Sequence, residues 1–336
     1  MKALVTGGGG FLGFEIAKKL VKRGDSVRSF SRNEHPQLRE INVEQITGDL
    51  ADPQAVGRAI AGCDVVIHTA AKAGMWGDYE EYYRPNVLGT QNIVAACLKH
   101  KVHHLVFTSS PSVVFNGNDM EGMNETAPYS SHFATHYPKT KAIAEQQVLA
   151  ANSSQFSTVA LRPHLIWGPG DHHLLPRFES RARAGKLCRI TPLNKRIDTL
   201  YIENAADAHI LAADGLFQKR PIAGKAYFIS QGEPVEIWEM INQLLLAAGA
   251  PVVTRTVSKP VAMAFAWMTE MMHRISRNQN EPFITRFVVT GLSTSHWFNI
   301  DAARHDLGYV PKISTTEGLR LLREHIEKHG FKPSLA

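Results

Sequence analysis

A tyrosine and a lysine four residues apart could perform proton-transfer chemistry in this chain. Tyr137 and Lys141 stand in the segment YPKTK, which reads as the start of a helix, so their side chains share one face. A nearby ammonium favours the tyrosinate, and such a tyrosine can exchange protons near neutral pH. Because this spacing also arises by chance, its place in the fold has to support the interpretation.

A pair of serines follows a predicted strand at 103–108. Ser109 and Ser110 would stand at the carboxyl edge of a parallel sheet, where open α/β sheets bind their ligands. A serine hydroxyl at that edge can hydrogen-bond a substrate carbonyl while Tyr137 supplies the proton. The two motifs together indicate chemistry on a carbonyl or hydroxyl group.

A glycine-rich loop, TGGGGFLG at 6–13, joins a predicted strand at 2–5 to a predicted helix at 11–23. Glycines there allow a tight turn and a close approach of the backbone to a pyrophosphate, and the helix N-terminus offers N–H groups to the phosphates. A purely structural turn is the alternative. Combined with the serine, tyrosine and lysine, the loop predicts hydride transfer with a dinucleotide.

The residues after the second predicted strand favour NADP(H) over NAD(H). That strand, at 27–30, is followed by Ser31 and Arg32, with no acid to hold a ribose 2′-hydroxyl. Arg32 can pair with a 2′-phosphate and Ser31 can donate to it; a solvated loop end is the alternative reading. Asp49 is placed to meet the adenine edge, unless it only caps the turn before Pro53.

Short β-rich runs alternate with helical patterns through the N-terminal half, which predicts βαβ units and a parallel sheet with helices on both faces. We therefore expect an α/β fold: a Rossmann doubly wound sheet at 1–165 and a smaller substrate lobe at 166–336 that returns elements to it. The predicted strands are 2–5, 27–30, 44–47, 64–68, 103–108, 157–162 and 226–230. The predicted helices are 11–23, 55–61, 79–100, 137–152, 174–184, 204–216, 235–248 and 315–328.

Composition limits the function classes. The 336 residues are 44% hydrophobic and 20% charged, which is ordinary for a globular protein. Three dispersed cysteines without a CxxC fit a reducing compartment, and MKALVTGGGG leaves no room for a signal peptide, so we expect a cytoplasmic protein. No apolar run is long enough to span a membrane. The net charge of +6 fits an anionic cofactor and an acidic substrate.

These motifs resemble the extended short-chain dehydrogenase/reductases over nearly the whole chain: TGGGGFLG, GDL at 48–50, HTAA at 68–71, NVLGT at 86–90, TSS at 108–110 and YPKTK. TSSPSVVF at 108–115 and the run RPHLIWGPGD at 162–171 are similar to the 3β-hydroxysteroid and sterol-4-carboxylate 3-dehydrogenase branch. AAKAGMWGDYEEYYRPNVLGT, HYPKTKAIAEQQVLAAN and YFISQGEP look like the bacterial 2-alkyl-3-oxoalkanoate reductases of olefin biosynthesis. Phe115 replaces the common tyrosine of Val-Tyr-Gly, which argues against a sugar-nucleotide epimerase.

The resemblance implies roles for individual residues. Ser110 would orient the substrate oxygen, with Ser109 as the alternative; Tyr137 would be the acid/base; and Lys141 would bind the nicotinamide ribose and depress the pKa of Tyr137. The cofactor would also contact Gly7, Gly10, Phe11, Leu12, Gly13, Ser31, Arg32, Asp49, Leu50, Ala70, Ala71 and Pro163. Dimerisation through the helices at 79–100 and 137–152 is a further expectation, with a multienzyme assembly as an extension of it.

The implied reaction is NADPH-dependent reduction of a long-chain 2-alkyl-3-oxoalkanoate to the 3-hydroxy acid. A steroid or sterol-4-carboxylate 3-dehydrogenase is the alternative enzyme, and a non-catalytic dinucleotide-sensing regulator is the alternative of another class. The substrate candidates are Trp76, Tyr83, Asn86, Arg177, Arg181 and Arg196. The apolar stretch 261–272 suits a long apolar ligand, a membrane surface or core packing. We expect neither a metal site nor nucleic-acid binding.

Overall fold

The computed structural model describes residues 1–276 and 280–331. The strands are β1 (Lys2–Thr6), β2 (Ser26–Ser31), β3 (Glu44–Thr47), β4 (Val65–His68), β5 (His104–Thr108), β6 (Met120–Met123), β7 (Ser157–Pro163), β8 (Ile166–Trp167), β9 (Arg189–Thr191), β10 (Arg196–Ile197), β11 (Leu200–Tyr201), β12 (Lys225–Ile229), β13 (Val235–Glu236), β14 (Thr256–Ser258) and β15 (His296–Phe298). The helices are α1 (Phe11–Arg23), α2 (Pro36–Glu40), α3 (Pro53–Ile60), α4 (Tyr79–Tyr83), α5 (Gly89–His100), α6 (His136–Ala150), α7 (Leu174–Arg183), α8 (Ile202–Phe217), α9 (Ile237–Ala247), α10 (Lys259–Ile275), α11 (Arg286–Gly291) and α12 (Thr315–His329).

Seven parallel strands form the main sheet in the order β12-β7-β5-β4-β1-β2-β3. The strand order reverses beside β1, whose two neighbours are β2 and β4. Reversal at this point opens a crevice at the carboxyl ends of the strands, which is the place where such sheets bind ligands. The expected doubly wound Rossmann sheet is confirmed.

Helices cover both faces of the sheet because its strands are apolar on both sides. On one face, Ile16 and Leu20 of α1 and the alanines of α8 pack against Val5 and Ile67. On the other face, α3, α5 and α6 pack against a second set of strand side chains that includes Phe107. Each sheet face is therefore sealed by its own buried core.

The C-terminal half contributes both to this sheet and to a separate core. β12 is an edge strand of the main sheet, and α8 covers one of the sheet's faces. The predicted boundary between residues 165 and 166 therefore separates segments that pack in the same core. A second core gathers side chains of α7, α9, α10 and α12 around Trp238. None of the described helices is long and apolar enough to cross a membrane.

The helix expected at 79–100 is interrupted. Arg84–Leu88 forms a π-helical turn between α4 and α5, and Pro85 stands at its second position. Proline lacks the N–H that would continue the α-helical ladder, so the wider turn there has a physical cause. The chain is nevertheless helical over the whole of the predicted span 79–100, with a π-helical turn that the sequence analysis did not predict.

Candidate active site

The glycine loop surrounds a small cradle, and a side chain at Gly7 or Gly13 would collide with the backbone that forms it. Gly7 has φ of +67°, and a Cβ on it would come within 3.1 Å of the Ala70 Cα. At Gly13 a Cβ would lie 2.2 Å from the Gly7 carbonyl oxygen, so only glycine lets α1 lie this close to the loop. Gly10 caps α1 with no side-chain hydrogen bond. A pyrophosphate fits this glycine-lined cradle at a helix N-terminus.

Near the end of β2, the residues predicted to contact the cofactor differ in their hydrogen bonds and their exposure. The Ser31 hydroxyl donates to the Asn33 carbonyl at 2.8 Å, while the Arg32 side chain is exposed. The Asp49 carboxylate accepts from the Ala51 N–H at 2.9 Å, so in the structure it caps its own turn. Arg32 therefore remains the group there that is available to a phosphate.

His35 is a neighbour of the glycine loop that the sequence analysis missed. A Cβ on Gly9 would lie 2.1 Å from the His35 ring, which shows that the imidazole covers this glycine. Gln37 donates its side-chain amide to the Gly9 carbonyl at 3.3 Å. The one signal in the sequence was the position of His35, three residues after Arg32.

A buried neutral histidine lies beneath the cofactor loop at the end of β4. His68 Nδ1 lies 2.7 Å from the Thr6 hydroxyl, and Nε2 lies 3.1 Å from the Thr90 hydroxyl. Burial lowers the pKa of His68 to about 3, and the positive charge of Lys141 acts in the same direction. Thr90 donates to the Asn86 carbonyl, so His68 must be the donor to Thr90 and the acceptor from Thr6.

Asn86 supports the site from within the π-helical turn. Its side-chain amide donates to the Lys72 carbonyl and to the Thr140 hydroxyl, both at 3.0 Å, and its oxygen accepts from the Lys72 N–H. Asn86 thus fastens the loop after Ala71 to the start of α6. Leu50 packs nearby against Gly89.

The serine and tyrosine predicted to act together are brought together. The Ser110 side chain lies near enough to Tyr137 to lower the pKa of the phenol, against the larger rise that burial causes. Ser110 Oγ also lies 2.9 Å from Ser112 Oγ. Ser109, the alternative, is buried, and its hydroxyl lacks a partner among the described residues. Geometry favours Ser110 for the serine role.

Lys141 is buried one helical turn beyond Tyr137. Its ammonium donates to the Thr108 carbonyl at 2.5 Å and lies 4.0 Å from the centre of the Phe107 ring. Burial lowers the pKa of Lys141 to about 7, against the opposing effect of Glu145. In the structure the opposing influence on the Tyr137 pKa comes from Ser110, and the expectation that Lys141 lowers this pKa stays a prediction.

An ion pair fixes the next turn of α6 to β7. Glu145 is fully buried, and Arg162 donates to it at 2.5 Å through NH2 and at 3.1 Å through Nε. The Tyr129 hydroxyl donates to the same carboxylate at 2.7 Å. Because Pro163 follows Arg162 directly, this pair links α6 to the strand end predicted to meet the nicotinamide.

A cavity of about 920 Å³ adjoins the start of α6, between the sheet and the C-terminal lobe. Pro138, which follows Tyr137 in sequence, and Phe115, five residues after Ser110, belong to its wall. The remaining lining residues are Met75, Trp76, Gly77, Asp78, Tyr82, Asn116, Gly117, His132, Phe133, Ala134, Thr135, His136, Lys139, Met263, Glu270, His273, Arg274, Arg286, Phe287 and Thr290.

The predicted substrate residues divide into one that lines this cavity and others that do not. Trp76 is part of the wall. Tyr83 packs against Tyr79 outside it, and Asn86 is the buried support described above. Two of the three predicted substrate arginines have other partners: Arg177 pairs with Glu281 at 2.8 Å, and Arg196 donates to a backbone carbonyl. Arg181 lies over the Phe283 ring.

Arg274, which the sequence analysis did not single out as a ligand, lines the cavity without a carboxylate partner among the described residues, as does Lys139. Arg286 donates to Glu270 at 2.8 Å, and the Lys139 ammonium lies over a tyrosine ring. The Arg274 guanidinium carbon lies 5.9 Å from the centre of the Trp76 ring, which holds it at the cavity wall. The cavity therefore offers a cation to an acidic ligand.

Metal chemistry finds no support in the parts of the chain that the structure describes. No group of three or more histidine, cysteine, aspartate or glutamate side chains is close enough there to hold an ion. The histidines at 103–104 and 172–173 belong to a strand edge and a loop, respectively.

Sequence comparisons agree with the geometry. The chain is 50% identical over 325 residues to the 2-alkyl-3-oxoalkanoate reductase of Stenotrophomonas maltophilia, covering 96% of this chain and 98% of that protein. It is 47% identical over 329 residues to the protein of the same name from Shewanella oneidensis, covering 96% and 85%. UDP-glucuronic acid 4-epimerase from Bacillus cereus, solved with NAD, has the same fold, with a TM-score of 0.74, 21% identity and coverage of 98% and 100%.

The fold and the site define an NAD(P)-dependent oxidoreductase of the extended short-chain dehydrogenase/reductase class, acting between an alcohol and a carbonyl. Residues 4–257 match the 3-beta hydroxysteroid dehydrogenase/isomerase family. The chain belongs to that family. The resemblance found in the sequence motifs is confirmed.

Proposed function

We propose that this enzyme is an NADPH-dependent ketoreductase that converts a long-chain 2-alkyl-3-oxoalkanoate to the 2-alkyl-3-hydroxyalkanoate, a step that would serve olefin biosynthesis. The observation that carries the proposal is the placement of Ser110 near Tyr137 and beside buried Lys141, next to a cavity whose Arg274 has no carboxylate partner among the described residues. The name of the Stenotrophomonas relative supports the substrate class.

In the proposed reaction the hydroxyl groups of Ser110 and Tyr137 have different roles. Ser110 donates to the substrate ketone oxygen and holds it beside Tyr137. When bound, the dihydronicotinamide supplies the hydride to C3. Tyr137 then gives its proton to the oxygen, so the ketone gains one hydride and one proton and becomes the alcohol. The Lys141 ammonium stabilises the tyrosinate that remains.

Arg274 would bind the carboxylate of the acid. A guanidinium suits a carboxylate because it can donate two parallel hydrogen bonds. The apolar wall of the cavity, which includes Trp76, Phe115 and Met263, would accept alkyl chains. A ligand with a charged head and apolar chains matches this combination better than an uncharged steroid.

The preference for NADPH rests on the end of β2. Arg32 is exposed there, with no acid beside it to repel a 2′-phosphate or to hold a 2′-hydroxyl. His35, over the glycine loop, is a second nitrogen-bearing group in this region. NAD(H) is the alternative cofactor.

A steroid or sterol-4-carboxylate 3-dehydrogenase is the second candidate, because the family description names that activity. The same Ser110, Tyr137 and Lys141 would run that oxidation in the opposite direction. Arg274 in the cavity wall favours the 2-alkyl-3-oxoalkanoate over an uncharged 3β-hydroxysteroid, whereas a sterol-4-carboxylate also has a carboxylate that could bind it.

The test is a substrate panel with purified enzyme and either NADPH or NADH. We expect turnover of a 2-alkyl-3-oxo acid with NADPH, and loss of about a hundredfold or more in Tyr137→Phe with cofactor binding retained. Turnover of a 3β-hydroxysteroid without reduction of the oxo acid would instead support the second candidate. Unchanged biological function in Tyr137→Phe would support a dinucleotide-sensing regulator.

A homodimer through α4, α5 and α6 is a further part of the proposal, and a multienzyme olefin-forming assembly would build on it. Leu98 of α5 supports such an interface, since its side chain is exposed. Light scattering on Leu98→Glu would test it, with conversion to a monomer as the expected result.

A further inference from the structure

One helix of the C-terminal lobe carries apolar side chains on its solvent face. Along α10 they recur at spacings of four, three, four and three residues, which places them in a single line on a helix. Each is between 44% and 76% exposed. This α10 stripe consists of Val261, Phe265, Met268, Met272 and Ile275.

The opposite face of α10 is the one that anchors it. Ala262 and Ala266 are buried in the core of the lobe, and Glu270 accepts two hydrogen bonds from Arg286. A surface helix normally places its apolar side inward and its polar side outward. Here the solvent side is apolar, and a contiguous exposed patch of that kind marks a binding surface.

The size of the stripe argues against a second copy of the chain as its occupant. A helix of 17 residues is about 25 Å long and about 10 Å wide, so it presents on the order of 250 Å² in projection. A stable protein interface covers about 800 Å² on each partner. A lipid surface sets no such minimum, because a single amphipathic helix can bury its apolar face in it.

The charges near the stripe select the kind of lipid. Glu270 is the one acid in residues 251–276, and it is engaged with Arg286. Two basic residues, Arg255 and Lys259, stand at the start of α10. This distribution complements a negatively charged surface.

We propose that the α10 stripe docks on an anionic phospholipid surface. Met263 and His273, on the other side of the same helix, line the cavity. Docking of the stripe therefore places α10 between the lipid surface and the cavity. Docking is independent of the catalytic proposal, since it requires neither cofactor nor substrate.

Sedimentation with vesicles tests this inference on the full chain. The stripe variant is Phe265→Glu with Met272→Glu; its matched control is Leu246→Glu with Val310→Glu, two exposed apolar residues elsewhere. We expect the wild type and the control to bind phosphatidylcholine vesicles containing phosphatidylglycerol, and the stripe variant to bind at least about tenfold more weakly. Thermal unfolding verifies that both variants are folded.

Three results would overturn the proposal. The first is wild-type protein that stays in the supernatant, or that binds pure phosphatidylcholine vesicles equally well. The second is equal loss of binding in the stripe and control variants. The third is a lipid-free dimer of the wild type that the stripe variant abolishes, which would assign the stripe to a second copy of the chain.

Discussion

The Lys141 ammonium donates to the Thr108 carbonyl at 2.5 Å, and the Thr108 hydroxyl lies 2.8 Å from Nε2 of His209. His209 uses its other nitrogen to donate to the Ala205 carbonyl, so Nε2 is the acceptor. Thr108 therefore connects Lys141 to α8, a helix from the C-terminal half. The position of this lysine depends on both halves of the chain.

Stability should increase with pH because of Lys141. Burial lowers its pKa to about 7, whereas an unfolded lysine titrates near 10.4. Between these values the unfolded state binds more protons, so the free energy of unfolding rises with pH. We expect the stability advantage of Lys141→Met over the wild type to be about 2 kcal/mol larger at pH 7 than at pH 9.

Denaturant unfolding at the two pH values measures this difference. Lys99→Met is the control, because Lys99 is exposed on α5 and its removal should give no pH-dependent difference. A stability advantage of Lys141→Met that is equal at both pH values would contradict the lowered pKa of buried Lys141.

Arg274→Gln should weaken binding of the acid substrate without slowing the chemistry on a neutral analogue. Loss of a charge-assisted pair predicts a rise of about tenfold in KM for the 2-alkyl-3-oxo acid. The KM for its methyl ester should hardly change, because the ester has no carboxylate. Steady-state kinetics on both compounds checks this, with exposed Arg323→Gln as the control; a parallel rise for the ester would argue against a carboxylate contact.

Arg32→Ala should change cofactor selectivity. Removing a guanidinium that pairs with a 2′-phosphate predicts a loss of about 10- to 100-fold in kcat/KM for NADPH and little change for NADH. Arg58→Ala, an exposed arginine on α3, is the matched control. Equal effects on both cofactors would show that Arg32 does not recognise the phosphate.

Gly13→Ala should both destabilise the protein and weaken cofactor binding. The new Cβ would lie 2.2 Å from the Gly7 carbonyl oxygen, so the backbone would have to shift, at a cost of about 1–3 kcal/mol. Gly291→Ala is the control, since a Cβ there meets no atom within 4 Å. Thermal unfolding and cofactor titration measure the two effects; a fully stable Gly13→Ala that binds cofactor normally would contradict the close packing.

The parts of the site carried by local patterns could be predicted from the sequence. The glycine loop, the YxxxK pair and the serine after β5 each sit where a strand or helix boundary puts them, and these boundaries follow from hydrophobic periodicity. The seven-stranded sheet followed from the same patterns. Ser110 and Tyr137 lie near each other because both stand at the same edge of the sheet.

The cavity residues could not be predicted in this way. Arg274 meets Trp76 across roughly two hundred residues of sequence, and that contact depends on how α10 packs on the lobe. Arg177 and Arg196 looked equally suitable, but Glu281 and a backbone carbonyl engage them. Tertiary packing determines which arginine lacks a carboxylate or carbonyl partner among the described residues, and a local sequence pattern does not contain this information.

The hydrogen bonds through His68 run in one direction only. Thr6 gives its single hydroxyl proton to His68, His68 gives its proton to Thr90, and Thr90 gives its own to the Asn86 carbonyl. The Thr6 oxygen also accepts from the Ala70 N–H. Each hydroxyl and imidazole proton in this series of hydrogen bonds is already donated within the protein, so the Thr6 hydroxyl has no proton left to offer a ligand in the crevice.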